Sequence, residues 1–491
     1  MSDLTARIQR YADDLIASYP DVIADEVLTA RMRPARFHPI LVAAAAALVV
    51  LLVIGGFAVL MNRSDRPVVE PVTTTLPATT VTTAQPTTTQ PPTTTTEAAV
   101  PLPVITWTRI DDPVFDGPTD QSGVSVRHIG SAFYIVGNDL DNKSGVIWRS
   151  EDGTTWERFD DPDVFGGPPG LHEISDIAGN DSVIVALGWE GNEALLDLGD
   201  RDHPPYGNSE AWWCQGVVWV SEDDGHTWTR LSHEEAFGTA DSFCEAGAVI
   251  STPDGFLAAY HGIWTSQDGL HWAEAAVLSD DGIISDLAIT PSGFVGVGQS
   301  WIIAEQAAAW WSTDSTNWTS VSNEDGQFDV SADIQSFLDG VASTGNGLVA
   351  VGTARQDPGT SLNAAVWLSG NNGRTWRRVP REQLRGFHQE VMRGVTTIGD
   401  LLVAVGESSN YPGYWPQPSR DDRSIGVVWV SQDGGATWDR MDAPNHVFGA
   451  FVSDWVSIRT VTSFGNQLVA AGYDGKGMAV WVGTIEEGEG Q

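Results

Sequence analysis

Basic side chains are scarce in this sequence: 26 Lys and Arg stand against 65 Asp and Glu over 491 residues, a formal net charge of −39 at pH 7. Nucleic acid and anionic membrane surfaces are therefore poor partners, because binding rows of phosphates requires clustered cations. Cationic ligands, metal ions or neutral glycans suit such a surface. Cysteine is nearly absent too, with only Cys214 and Cys244. There is no Gly-rich phosphate loop, no His-rich metal spacing and no serine elbow, and the ten histidines are scattered. Nucleotide hydrolysis, zinc chemistry and serine hydrolysis thus have no sequence support.

What is present begins with one long uncharged run. Ile40 to Met61, ILVAAAAALVVLLVIGGFAVLM, is 22 residues without a charge, and as a helix it spans about 33 Å, the thickness of a bilayer core. The run starts late and lacks a small-residue cleavage site, which argues against a removable signal peptide. Arg31, Arg33 and Arg36 precede it, whereas Arg63 and Arg66 follow, a bias that keeps the N-terminus cytoplasmic. The expectation is a transmembrane signal-anchor helix over residues 39–62, single-pass in the cell membrane, with the bulk of the chain extracellular. Within residues 1–38, Leu4, Ile8, Tyr11 and Leu15, then Ile23 and Val27 after Pro20, have near-helical spacing. Two short helices are expected there, either docking a cytoplasmic partner or forming a solvated overhang of the anchor. Residues 63–103 are expected as a Thr/Pro-rich stalk with little to bury, its Thr-Pro tract from Val68 to Pro103 having an upper reach of about 110 Å.

Residues 104–486, ahead of a short tail at 487–491, are repetitive. SEDGTTW (Ser150–Trp156) recurs as SEDDGHTW (Ser221–Trp228), SQDGLHW (Ser266–Trp272), STDSTNW (Ser312–Trp318), SGNNGRTW (Ser369–Trp376) and SQDGGATW (Ser431–Trp438). Each copy follows an apolar strand carrying a tryptophan and leads into another strand that begins with one. The third-strand tryptophans read as Trp148, Trp219, Trp264, Trp311, Trp367, Trp429 and Trp481; the fourth-strand set is Trp107, Trp156, Trp228, Trp272, Trp318, Trp376 and Trp438. The two sets are offset: ITWTRI at the start has no strands before it, and AVWVG at the end has no fourth strand after it. Pairing the two closes a ring and removes the exposed sheet edge of an open array. The fold expected is all-β, a seven-bladed propeller closed by its N- and C-terminal strands.

The S-x-D-x-G-x-x-W pattern resembles the Asp-box, or bacterial neuraminidase repeat, of the sialidase-like β-propellers. Its positions here are Asp152 and Trp156, Asp223 and Trp228, Asp268 and Trp272, Asp314 and Trp318, Asn371 and Trp376, and Asp433 and Trp438. A carboxylate capping backbone N–H groups, a glycine at positive φ and a buried indole explain the residue types as a turn, without catalysis. Asn371 in place of aspartate and Ser315 in place of glycine fit a structural role. The resemblance implies glycoside hydrolysis, in which three arginines clamp a substrate carboxylate beside a tyrosine nucleophile with its glutamate and an aspartate acid. Arg109-Ile110-Asp111 only faintly echoes the family's Arg-Ile-Pro, and on an outer strand. The inner-strand candidates for such a clamp are Arg127, Arg393 and Arg459, each of which reads as a single polar residue on a strand rather than as part of a carboxylate clamp.

Topology puts the tight turns on one face of the ring and the long connections on the other, where binding usually resides. Gly188 to Gly216, Gly352 to Ala364 and Gly406 to Gly426 are the long ones. Trp189, Tyr206, Trp212, Trp213, Tyr411, Tyr414 and Trp415 cluster in two of them and suit sugar faces or cationic groups; packing of the loops onto the blades is the alternative. Asp160, Asp161, Asp163, Asp241, Asp280 and Asp281 also fall on that face. They show no ordered calcium spacing, so they are expected as solvated carboxylates and no cofactor or metal is called for. Cys214 and Cys244 meet the same face, and a bond between them would stabilise by roughly 3–4 kcal/mol. The function expected is a membrane-anchored extracellular propeller that binds or senses a glycan or peptide. The alternatives are a sialidase-like exo-glycosidase and a cell-envelope assembly scaffold.

Overall fold

The computed structural model describes residues 102–485 except for 116–120, 140, 167–169, 193–213, 239–246, 279–281, 301–305, 322–326, 329–334, 356–362, 385–389, 410–423, 442–446, 450–455 and 476. Residues 1–38, expected as a cytoplasmic segment, the apolar run at 40–61, nearly all of the expected stalk and the tail lie outside the described residues. Among those described, no helix is long and apolar enough to cross a membrane.

Seven four-stranded antiparallel sheets make the ring, six of them in sequence order from inner to outer strand. The inner strands of blades 1 to 7 are Gln121–Ile129, Gly170–Gly179, Val249–Thr252, Gly282–Thr290, Ser336–Thr344, Glu390–Ile398 and Ser457–Phe464. Inner strands of consecutive blades touch one another all the way round, blade 7 against blade 1 included. Blade 7 takes its outer strand from the start of the described chain: Ile105–Arg109 pairs with Met478–Ile485, from Ile105 opposite Ile485 to Arg109 opposite Trp481. The expected ring closure is therefore present.

The core lies between the blades. Every sheet packs on both faces, so its central strands lose the in–out alternation of a half-exposed strand and become apolar throughout. In Ala132–Asp139 every residue is buried. The third-strand tryptophan sits two residues before the turn serine, where Trp148, Trp219, Trp367 and Trp429 are fully buried. In blade 4 that position belongs to Trp310, not to Trp311 as the sequence reading has it. Trp310 lies opposite Gly296 and is 1% exposed, while Trp311 faces the other way with the Arg374 guanidinium 4.4 Å from its ring. A one-residue slip moves a strand side chain to the opposite face, and two adjacent tryptophans conceal the slip.

The connections between fourth and first strands are also anchored. Phe115, Phe165, Phe237 and Phe448 each insert between the third- and fourth-strand tryptophans of a blade, with ring centroids 5.0–6.4 Å apart. Two of the carboxylates expected as solvated have local partners: Asp160 accepts from Arg158, and Asp161 caps the short helix Pro162–Phe165 by accepting from the Asp163 N–H. Asp163 itself is exposed. Asp241, Asp280 and Asp281 lie outside the described residues.

The six repeated turns share one hydrogen-bond pattern. The serine hydroxyl accepts the N–H of Gly153, Gly225, Gly269, Gly373 and Gly435 at 2.9 Å. The Asp side-chain oxygen, or that of Asn371, accepts N–H groups near the end of the turn. The tryptophan indole donates to the carbonyl at the glycine position at 2.8–3.0 Å in every copy. Ser315 fills that position at φ 64°, a left-handed conformation that costs a side chain more than glycine. Partial burial opposes ionisation of Asp152, but the Thr155 and Thr154 N–H groups outweigh it and hold its carboxyl down at about 2. The His271 ring does the same for Asp268, also at about 2. All six motif pairs are thus committed to the turns.

Candidate functional site

The inner strands line a central channel, and six of them carry a β-bulge at the same level. The residue left out of register is Val124, Ser175, Ser285, Asp339, Arg393 or Arg459. A bulge re-aims a side chain and strengthens local twist. The next residue then reaches the neighbouring blade. Asp176 accepts the Val249 N–H at 3.0 Å, Asp286 the Val341 N–H at 2.9 Å, and the Thr460 hydroxyl the Val126 N–H at 3.1 Å.

Arg127 spans this level from blade 1. Its guanidinium lies 3.2 Å from Asp176 and 3.3 Å from Asp286, carboxylates of blades 2 and 4. Burial pushes the Asp286 carboxyl up to about 6, against the pull of Arg127. Blade 6 holds a second pair: Arg393 donates to Glu407 at 3.0 Å, and Ser457 donates to the other Glu407 oxygen. Arg393 also lies 3.8 Å from Asp339, whose carboxyl burial pushes up to about 6. Arg459 is exposed, with no hydrogen bond or ion pair among the described residues.

The three arginine candidates thus sit in different surroundings: Arg393 and Arg459 at bulge positions of adjoining blades, and Arg127 three residues past its own bulge. Arg127 is engaged by two acids in mid-channel and Arg393 by two more, Glu407 and Asp339, and only Arg459 is unpaired among the described residues. Asp176, Asp286, Asp339 and Glu407 went unremarked at the sequence level, although Ile174-Ser175-Asp176-Ile177-Ala178 and Ile284-Ser285-Asp286-Leu287-Ala288 repeat the same inner-strand pattern. Of the loop aromatics, Trp189 is described; it is part of the strand Ile184–Asn192, opposite Glu173 and Gly216, rather than in a loop. Its neighbour Glu190 is taken by His172 and Arg230. Tyr206, Trp212, Trp213, Tyr411, Tyr414 and Trp415 lie outside the described residues. Cys214 opens the strand Cys214–Ser221, but Cys244 lies outside, and the expected bond with it. Among the described residues, no three His, Cys, Asp or Glu side chains are grouped so as to hold a metal ion.

The channel charges set a pH dependence. Asp286 and Asp339 hold protons in the folded chain up to about pH 6, whereas an unfolded aspartate loses its proton near 4, so their contribution to stability falls as pH rises through that window. The turn aspartates act oppositely, and theirs is lost below about pH 4. Arg127→Ala is expected to cost roughly 2–3 kcal/mol at pH 7, because it leaves two channel carboxylates unpaired; solvent access to Arg127 trims the penalty of a fully buried pair. The cost should shrink at pH 5, where Asp286 takes up a proton. Urea melts of both proteins at the two pH values measure this, and an equal cost at each would remove the ion pair from the account.

The class defined by seven closed four-stranded sheets is the seven-bladed β-propeller. No family model and no curated protein matches this sequence. Solved structures with a similar fold include the Trypanosoma rangeli sialidase in complex with sialic acid, at 11% identity and TM-score 0.41 over 77% of this chain and 58% of that one. Another is the phage phi92 endosialidase, at 10% identity and TM-score 0.41 over 79% and 70%. A third is the Penicillium chrysogenum α-L-arabinanase complexed with arabinobiose, at 12% identity and TM-score 0.42 over 78% and 99%. This chain thus spans about 58% of the length of the trypanosomal sialidase.

Proposed function

We propose that this chain is a membrane-anchored propeller of the Asp-box type that binds an extracellular glycan or peptide at its long-connection face. The observation that carries the reading is the neutralisation of Arg127 and Arg393 by the chain's own carboxylates. A clamp for a substrate carboxylate needs unpaired guanidinium groups, and this channel offers one among the described residues. The six turns, with their shared serine, aspartate and tryptophan bonding, support the Asp-box assignment. The outer strand Ile105–Arg109 runs from the turn face toward the long connections, as every fourth strand does. The described chain therefore enters the ring on the turn face, opposite the long connections.

The test is a glycan and basic-peptide array probed with the full chain in lipid nanodiscs, alongside fluorogenic sialosides. Binding without turnover is expected, weakened at least tenfold in Trp213→Ala or Trp415→Ala. Sialoside turnover abolished by alanine at Arg127, Arg393 or Arg459 would replace the binding reading with a glycosidase.

A further inference from the structure

The ring of bulge residues is lopsided. Blades 1, 2 and 4 place Val124, Ser175 and Ser285 there, while the consecutive blades 5, 6 and 7 place Asp339, Arg393 and Arg459. At the bulge positions one wall is small and uncharged, and the other carries three charges side by side.

Those three strands pack closely at this level. A Cβ on Gly340 would lie 3.3 Å from the Arg393 carbonyl oxygen, and one on Gly394 would lie 3.2 Å from that of Arg459. The charged side chains thus spring from adjoining backbones. Their partners are unequal. Arg393 is fixed by Glu407, which Ser457 holds in turn. Asp339 has only the Arg393 guanidinium 3.8 Å from its Oδ1, its Oδ2 accepts no hydrogen bond among the described residues, and Arg459 is exposed and unpaired among them. Further along the channel, Arg127 with Asp176 and Asp286 occupies the middle, so a ligand arriving from the long-connection face meets the bulge level first.

We infer that this level of the channel binds a small zwitterion of the amino-acid class, its ammonium on Asp339 and its carboxylate on Arg459. The inference rests on the binding reading above and names the ligand chemistry of that site. A simple cation would leave Arg459 unmatched. A simple anion would leave Asp339 without a donor and would meet the field of Asp339 and Glu407. A zwitterion supplies a donor to the Asp339 carboxylate, whose side chain is 26% exposed, and an acceptor to the exposed guanidinium without adding net charge, and the residues at the opposite bulges are small. Charge-assisted hydrogen bonds at both ends give it selectivity over molecules with one charge.

Calorimetric titration of the full chain in nanodiscs with glycine, β-alanine, 4-aminobutyrate and 6-aminohexanoate tests this, with n-butylamine and butyrate as singly charged controls. At least one zwitterion should bind tenfold or more tightly than either control. Asp339→Asn and Arg459→Gln should each erase that advantage while leaving the near-ultraviolet dichroism and the melting profile in place. Zwitterions no better than the controls, or an advantage that survives both substitutions, would overturn the inference. A silent glycan and peptide array with intact zwitterion binding would remove the glycan or peptide reading alone. A positive array with no zwitterion preference would remove this inference alone.

Discussion

Replacing residues 105–109 by a Gly/Ser segment of equal length is expected to destabilise the propeller by about 5 kcal/mol, the sum of two large side chains leaving a packed environment. Ile105 is 6% exposed, and the Trp107 ring lies 5.5 Å from Phe448. Gly483 leaves that indole its place, since a Cβ there would come within 3.0 Å of it. The replacement also exposes the edge of Met478–Ile485 to pairing with other chains, so aggregation on heating should increase. Scanning calorimetry of the full chain reads both effects, with a melting point lower by about 5 °C for a ring of this size. Melting within a degree of the wild type would mean that the closing strand is dispensable.

Trp310→Ala should cost about 3–5 kcal/mol, the usual range for deleting a fully buried indole. Trp311→Ala should cost less, about 1–2 kcal/mol, since its half-buried ring packs on the edge of a core cluster and under Arg374. Denaturant melts of the two variants compare neighbours of identical chemistry. The sequence register reverses this order, because it assigns the core position to Trp311. Equal costs would show that both faces of that strand are equally packed.

Much of the ring was legible because each blade repeats the same local requirements. The turn needs a short acceptor, a left-handed residue and an indole, and those three sit within eight residues of one another. The offset between the two tryptophan sets fixed the closure of the ring, since a strand lacking its sheet at one end must complete the sheet lacking a strand at the other. A second signal, an arginine two residues after five fourth-strand tryptophans (Arg109, Arg158, Arg230, Arg378 and Arg440), was readable but unused. Each lies directly opposite a third-strand tryptophan, and Arg158 and Arg378 stand over those rings.

The channel was not legible in the same way. Arg127, Arg393 and Arg459 all fall on inner strands, yet only the bulges decide that Arg393 and Arg459 share a level with Asp339. Arg127 comes three residues after its own bulge and belongs with Asp176 and Asp286. The partners of Arg127 are 49 and 159 residues away in sequence, and no local pattern connects them.

By itself, the sequence determined the seven-fold repeat, the turn chemistry and the joining of the two ends, because each depends on residues close in the chain or on a count of equivalent strands. Only the tertiary structure decided which inner-strand charges neutralise one another and which stay available. That outcome depends on where a single extra residue in each strand rotates its neighbours toward the axis, and on which blades the ring then brings face to face.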